Sequence, residues 1–199
     1  KGIWESRGFI QRALFTHPKN VASGLCQEVV EKPNLSALPI LKCWPGDAGR
    51  FITYGMVLTR HPLTHRRNLG LYRLQVFGND ATGMHWQSMK GGRGHYWEAE
   101  REGKDLEVAV IIGADPILMM AAILPLPEDV DEIAFAGFIN RSGVRMTRAK
   151  TLDLVVPANA ERSSSIGCAK RDRFATHSTR SPSYSRTYAR IFRFVGSIN

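Results

Sequence analysis

The chain has 199 residues, of which 43% are hydrophobic and 23% charged, which is the composition of an ordinary globular protein. Its sequence contains no apolar run near the roughly 20 residues that a membrane-spanning helix needs, and its three cysteines lack the paired spacing of a zinc site or a disulfide framework. The net charge of +9 lies mostly in residues 162–199, where eight basic residues stand against one acid, so the rest of the chain is nearly neutral and we expect no nucleic-acid partner. The cysteine usage and the lack of a visible basic-then-apolar N-terminal signal lead us to expect a cytoplasmic protein.

The first 90 residues predict a β-rich region after a short lead-in. Residues 1–35 contain a helical pattern over 9–15 and a polar, proline-containing connection, and we interpret them as a partial lead-in. Further on, short runs of β-forming residues alternate with turn residues. These runs predict four strands, at 38–41, 51–58, 69–77 and 82–87.

The second half of the sequence inserts helices between strands. Its predicted elements are a helix over 96–101, a buried strand over 108–113, helices over 115–122 and 129–139, and one or two strands over 144–156. Asp115 and Pro116 form a favourable helix start, with the acid as N-cap and the proline at the first helical position. The mixture predicts an α+β fold in which helices are inserted into a β-barrel or curled sheet.

Residues 162–199 differ from the rest of the chain. They are rich in Ser, Arg and Thr without periodicity, so disorder is the simplest interpretation, and only 191–195 could pair as a strand. The sequence therefore divides into a lead-in at 1–35, a folded domain at 36–161 and an aberrant basic tail at 162–199.

Two neighbouring predicted strands carry more chemistry than a core hairpin needs, because Asn68, Arg73, His85 and Trp86 lie close together in sequence. Asn68 and Arg73 have opposite parity along a strand, so both can face one ligand only if the strand twists or bulges between them. The structural alternatives are a turn hydrogen bond for Asn68, a surface ion pair for Arg73 and a core position for Trp86. The residues alone leave these alternatives open.

A glycine-rich turn and one carboxylate are weaker candidates. The backbone amides of Lys90, Gly91 and Gly92 could cradle a phosphate at a helix start, but such a turn is also an ordinary loop. Glu161 follows an apolar run, which is only a weak indication of a functional carboxylate. Among the six histidines, only His61 and His65 have HxxxH spacing, and they stand in a polar connection, so the sequence does not predict a histidine-based zinc site.

Six segments together resemble, in the same order, segments of the UbiD family of (de)carboxylases. They are residues 41–53, 67–73, 83–87, 113–116, 131–137 and 156–161. This family contains the enzymes similar to 3-octaprenyl-4-hydroxybenzoate carboxy-lyase, which use prenylated FMN. The resemblance covers about residues 20–161 and implies a flavin-binding domain with a split β-barrel core.

The resemblance also implies a site. Asn68 and Glu161 match ligands of a divalent metal, usually manganese, that clamps the cofactor phosphate, with potassium as a second candidate ion. Arg73 matches a catalytic residue that holds the substrate carboxylate, for which its planar fork is suited. The residues that match cofactor contacts are Leu71, Tyr72, Arg73, His85, Trp86, Gln87, Lys90 and Gly91.

The implied activity is non-oxidative decarboxylation of an aromatic or α,β-unsaturated acid, such as the 4-hydroxybenzoate derivatives of ubiquinone biosynthesis. The modified flavin supplies the difficult chemistry, and the protein supplies orientation, charge and a proton donor. A flavin prenyltransferase would supply the cofactor, and family members form homo-oligomers. Two alternatives remain: a module that binds flavin and metal without turnover, and a nucleic-acid binder that acts through the basic tail.

The sequence departs from the family pattern at two places. Met89 stands where some members have a histidine that can reach the metal. After Glu161 the family pattern stops, and we expect this fragment to be inactive alone. Residues 161–166, written in allowed codons, encode Ile-Val-Leu-Asp in another frame, which resembles the family's continuation. We therefore hypothesise that the tail from Arg162 is a frameshift product.

Overall fold

A computed structural model describes residues 16–31, 34–87, 90–168 and 186–196, with the backbone alone for Glu31, 162–168 and 186–196. The helix predicted over 9–15 and Met89 lie outside these ranges. The strands are β1 (Lys19–Asn20), β2 (Val30–Glu31), β3 (Phe51–Ile52), β4 (Met56–Arg60), β5 (Arg67–Leu71), β6 (Leu74–Val76), β7 (Ala81–His85), β8 (Leu106–Ile112), β9 (Arg145–Arg148), β10 (Val155–Pro157), β11 (Arg162–Cys168) and β12 (Arg186–Gly196). The helices are α1 (Gly91–Arg101), α2 (Pro116–Ile123) and α3 (Glu132–Asn140), and short 3-10 turns cover Leu25–Gln27 and Leu35–Ala37.

The strands form two sheets. The larger one has nine antiparallel strands in the order β3-β6-β7-β12-β11-β8-β4-β5, with β2 paired to β12. The smaller one has the order β1-β9-β10, and its β1 runs parallel to β9. The fold is therefore α+β, as predicted, and the split-barrel description stays a prediction.

The central strands β4 and β8 divide the core into two layers. Val57, Val108 and Val110 pack on one face of the large sheet beneath α1, whereas Leu58 and Ile111 pack on the other face beneath α2 and α3. Successive side chains of a strand point to opposite faces, so these continuous apolar runs fill both layers. Helices thus cover both faces at the end of the sheet that contains β5.

Several predicted boundaries differ from the structure. The strand predicted at 69–77 is two strands, β5 and β6, because regular strand structure is interrupted at Tyr72 and Arg73. At this interruption the Tyr72 amide donates to Gly55 O, and Arg73 O accepts from the His85 amide. The strand predicted at 38–41 is wrong, since those residues follow a 3-10 turn without strand pairing. The Asp115 cap is confirmed, because its carboxylate accepts hydrogen bonds from the amides of Ile117 and Leu118.

Two parts of the basic tail have strand backbone, although the sequence predicted disorder there. β11 pairs with β8, and β12 pairs with β11 and β7. β12 contains the run 191–195 that was singled out as a candidate strand. Among the described residues, no helix combines the length and the apolar character that crossing a membrane requires.

Candidate functional site

The strand break after β5 decides where the predicted site residues point. Asn68 lies within β5, opposite Thr59 of β4, while Arg73 lies beyond the break. The two side chains therefore meet different neighbours: Asn68 lies against Gly91 at the start of α1, and Arg73 pairs with Asp47. Their different orientations therefore come with an interruption of the strand, and not with a twist of one continuous strand.

Asn68 forms one half of a polar junction between β5, α1 and α3. A Cβ placed on Gly91 would lie 2.3 Å from Oδ1 of Asn68, so the amide occupies the space that this glycine leaves open. Nδ2 of Asn68 is buried and makes no hydrogen bond within the described part of the chain. An unpaired buried donor typically costs about 1–3 kcal/mol, so the position needs a polar partner.

Glu132, the first residue of α3, forms the other half of this junction. Its Oε2 accepts a hydrogen bond from the amide of Leu69, the residue after Asn68, at 3.2 Å. Burial raises the pKa of Glu132, and the amides of Glu132 and Leu69 oppose that rise. The sequence interpretation missed Glu132 as a site residue, because an acid in a first helical turn is explained by the helix dipole. Its place in the resembling segment 131–137 was the available signal.

Glu161 lies elsewhere. Its amide donates to Gly113 O at 2.7 Å, and its carboxylate lies where a Cβ of Gly113 would be. Asn68 pairs with Thr59 and Thr59 with Val108, which is five residues before Gly113. At about 3.3 Å per residue, Asn68 and Gly113 lie about 16 Å apart along the strand direction. The described contacts therefore join Glu132 to Leu69, the residue after Asn68, and join Glu161 to Gly113.

An aromatic cluster lies beside the junction. Tyr72 and Trp86 pack edge to face with ring centroids 5.0 Å apart, and Trp86 stacks on Tyr96. The Tyr72 hydroxyl accepts a hydrogen bond from the Gly92 amide at 3.0 Å. Nε1 of Trp86 is buried and has no hydrogen-bond partner among the described residues. This cluster therefore contains a second buried donor without a partner among the described residues.

Burial sets the charge state of this cluster. It raises the pKa of Tyr72 to about 12, so the phenol is neutral at physiological pH. The Asn68 amide faces the phenol without reaching hydrogen-bond geometry, and it lowers the pKa of Tyr72 against that rise. Lys90 donates to Leu71 O at 2.9 Å and lies 5.2 Å from the centre of the Tyr72 ring. Burial lowers the pKa of Lys90.

The Arg73 side chain contacts Asp47, Thr53 and Phe51. Nη1 and Nη2 donate to the two carboxylate oxygens of Asp47 at 2.8 and 2.6 Å, and Nε donates to Thr53 Oγ1 at 3.3 Å. Its guanidinium lies 4.2 Å from the centre of the Phe51 ring, which also contacts the ring of His85. The hydrogen bonds between the pair lower the pKa of Asp47 and raise that of Arg73. The Asp47 carboxylate therefore fixes the orientation of the Arg73 guanidinium.

The predicted cofactor contacts thus fall into two groups. Leu71, Tyr72, Trp86, Lys90 and Gly91 adjoin the junction, whereas Arg73 and His85 meet around Phe51, and Gln87 is exposed. Within the described ranges, no group of three His, Cys, Asp or Glu side chains is placed to hold a metal ion. Any metal at the junction would therefore need the amide of Asn68 or a ligand from outside these residues.

Comparison with known proteins identifies the family. The model of the UbiD family, described as the 3-octaprenyl-4-hydroxybenzoate carboxy-lyase Rift-related domain, matches residues 19–162. The chain belongs to the UbiD family. It is 50% identical over 155 residues to an uncharacterised protein of Archaeoglobus fulgidus and 51% identical over 146 residues to one of Aquifex aeolicus. These matches cover 77% and 72% of the chain but 32% and 30% of the relatives, so the chain spans about a third of their length.

Solved structures of UbiD-class enzymes have the same fold. The UbiD-class enzyme HmfF from Pelotomaculum thermopropionicum, in complex with FMN, matches with a TM-score of 0.82 at 24% identity, over 96% of this chain and 46% of that one. Vanillic acid decarboxylase from Sedimentibacter hydroxybenzoicus matches with a TM-score of 0.82 at 22% identity, over 98% of this chain and 46% of that one. At these identities the likeness establishes the fold of this UbiD domain.

Proposed function

We propose that this UbiD domain is the cofactor-binding part of a (de)carboxylase that acts on an aromatic or α,β-unsaturated carboxylic acid through prenylated FMN. The match of the family model supports the reaction class. Two structures of the similar enzyme HmfF, one with FMN and one with prenylated FMN, support the cofactor. Because the chain spans only part of these relatives, the whole reaction is proposed for the full-length protein.

The polar junction carries this proposal. Asn68 offers an amide oxygen and Glu132 a carboxylate, which are the hard oxygen ligands that manganese and magnesium prefer. The glycine that makes room for the Asn68 Oδ1 fits a site for a polar group, and the unpaired Nδ2 would suit an acceptor such as a phosphate oxygen beside the metal. We therefore propose Asn68 and Glu132 as protein ligands of the metal, in place of the predicted pair of Asn68 and Glu161.

The start of α1 fits the phosphate of the flavin. The N-cap residue Lys90 makes no side-chain cap, and the Gly92 amide already donates to the Tyr72 hydroxyl, so the helix dipole rather than that amide would attract an anion. Lys90 adds a cation, and Trp86 adds a buried N–H donor nearby. Prenylated FMN, when bound, would supply the electron sink for loss of carbon dioxide.

The chain's own residues would orient the reactants. Tyr72, neutral at physiological pH, holds a proton on its hydroxyl oxygen beside the start of α1. Asp47 and Thr53 use three of the five N–H groups of Arg73, so a substrate carboxylate would be held by the two that remain. The Asp47 contact fixes the guanidinium before substrate arrives, which reduces the entropy lost on binding.

The experiment measures metal and flavin binding by the full chain. The chain is titrated with Mn²⁺ in the presence of FMN, and bound metal is followed by the loss of the electron paramagnetic resonance signal of free Mn²⁺. Asn68→Ala and Glu132→Gln should each weaken Mn²⁺ binding at least tenfold, since even outer partners of metal ligands typically contribute about 10–100-fold. Glu161→Gln is the matched control and should bind as the parent does.

The opposite ranking would overturn this assignment. If Glu161→Gln loses Mn²⁺ while Glu132→Gln retains it, the junction is not the metal site, and the predicted pair of Asn68 and Glu161 is restored. Loading with prenylated FMN, by co-expression with a flavin prenyltransferase, then tests the cofactor through its visible spectrum. A parent chain that binds neither flavin nor metal contradicts the proposed function as a whole.

A further inference from the structure

Two charged residues flank the junction, one beside each proposed metal ligand. Arg67 precedes Asn68 on β5, and Asp131 precedes Glu132 at the start of α3. Nε and Nη2 of Arg67 both donate to Oδ2 of Asp131, at 3.0 and 2.7 Å. Both side chains are 29% exposed, so the pair is partly shielded from water. Arg67 and Leu69, on either side of Asn68, thus contact the consecutive residues Asp131 and Glu132.

Asp131 makes a second, different contact with its other oxygen. Its Oδ1 accepts a hydrogen bond from the Ala134 amide at 2.9 Å and so caps α3. One oxygen therefore fixes the helix start, while the other fixes that start against β5. The backbone of Leu69 completes the attachment by donating to Glu132. The capped end of α3 is consequently held in register with Asn68.

We infer that Arg67 and Asp131 are positioning residues, which set the distance between Asn68 and Glu132 and thereby the affinity of the metal site. This inference rests on the proposed function, since it concerns the metal that Asn68 and Glu132 would bind. Groups behind metal ligands commonly control affinity in this way, by holding the ligands in the productive orientation. Neither residue needs to contact the metal.

The pair allows a sharp test, because positioning and direct charge effects have opposite signs at Arg67. Arg67→Gln removes a cation near a cation site, so a pure charge effect would strengthen Mn²⁺ binding. Loss of positioning would weaken it. Asp131→Asn keeps an oxygen that can cap α3, since Asn caps about as well as Asp, but it removes the charge that Arg67 binds.

The variants are titrated with Mn²⁺ in the presence of FMN, as full chains. We expect Arg67→Gln and Asp131→Asn each to weaken Mn²⁺ binding about tenfold, and the double variant to be no weaker than either single one, because both break the same contact. Arg67→Lys keeps the positive charge but lacks the planar guanidinium, so it should recover part of the lost Mn²⁺ affinity. Asp115→Asn, the same substitution at the N-cap of α2, is the matched control and should bind as the parent does.

The outcomes separate this inference from the proposed function. Unchanged or tighter binding by Arg67→Gln, or losses that simply add in the double variant, would overturn the positioning role alone. Loss of binding in Asp115→Asn would mean that helix stability, and not the pair, explains the effect. A parent chain that does not bind Mn²⁺ would overturn the metal site and the inference together. If circular dichroism shows that Arg67→Gln is unfolded, the Mn²⁺ affinities of Arg67→Lys and Asp131→Asn test the positioning role instead.

Discussion

Replacing Gly91 by alanine should damage the site while sparing the helix that contains it. The new Cβ would lie 2.3 Å from Oδ1 of Asn68, whereas ordinary contacts begin at 3.4 Å. The Asn68 amide, at the end of its side chain, must therefore retreat by about 1 Å from its position against α1. We expect Mn²⁺ affinity in the presence of FMN to fall about 10–100-fold, by analogy with displaced ligand-orienting groups.

Gly94→Ala on the same helix is the matched control, because a Cβ there meets nothing within 4 Å. Alanine is favoured over glycine in a helix by about 0.5–1 kcal/mol, so Gly94→Ala should unfold at higher denaturant concentration and bind Mn²⁺ unchanged. Gly91→Ala should gain less stability than Gly94→Ala, because its Cβ displaces the Asn68 amide. Parental Mn²⁺ affinity in Gly91→Ala would refute the reasoning, since Asn68 would then be free to move or absent from the site.

Two buried titratable groups give opposite pH dependences of stability. Burial raises the pKa of Tyr72 to about 12, so stability is fully present below pH 10 and should fall by about 2–3 kcal/mol between pH 10 and 12. Tyr72→Phe should remove that part of the alkaline loss in the free energy of unfolding, measured by urea denaturation. If the parent and Tyr72→Phe lose stability equally between pH 10 and 12, the prediction is contradicted. Burial lowers the pKa of His95, which bonds Thr59, to about 4, so stability is present above pH 6.5 and should fall by about 3 kcal/mol towards pH 4. His95→Gln should flatten that acid slope, and an unchanged slope would exclude His95 as its cause.

Local signals in the sequence were sufficient for some elements and not for others. The buried strand β8 follows from an apolar β-branched run, and the start of α2 follows from Asp115 and Pro116, because both depend on neighbouring residues alone. The strand β11 was missed because its Ser-rich sequence has weak intrinsic β-preference, and pairing with β8 decides its conformation. In β12 the apolar run 191–195 was the available signal.

The site shows the same division between local and tertiary information. Asn68 and Gly91 were singled out from the sequence and its resemblance to the UbiD family, and the structure places them in contact. The partner carboxylate could not be chosen locally, because Glu132 and Glu161 both stand in resembling segments. The contact between α3 and β5, which joins residues 63 apart in sequence, is what supports the proposal of Glu132.

The direction of the helices explains why this junction would bind an anion and a cation together. The N-termini of α1 and α3 both meet β5, at Gly91 and Glu132 respectively. Each helix N-terminus carries roughly half a positive charge, so two of them repel a lone cation and attract an anion. The carboxylate of Glu132 offsets part of this field, and a flavin phosphate at the uncapped start of α1 would offset more. The metal should therefore bind more tightly with the phosphate present than without it, which is why FMN belongs in every Mn²⁺ titration of this chain.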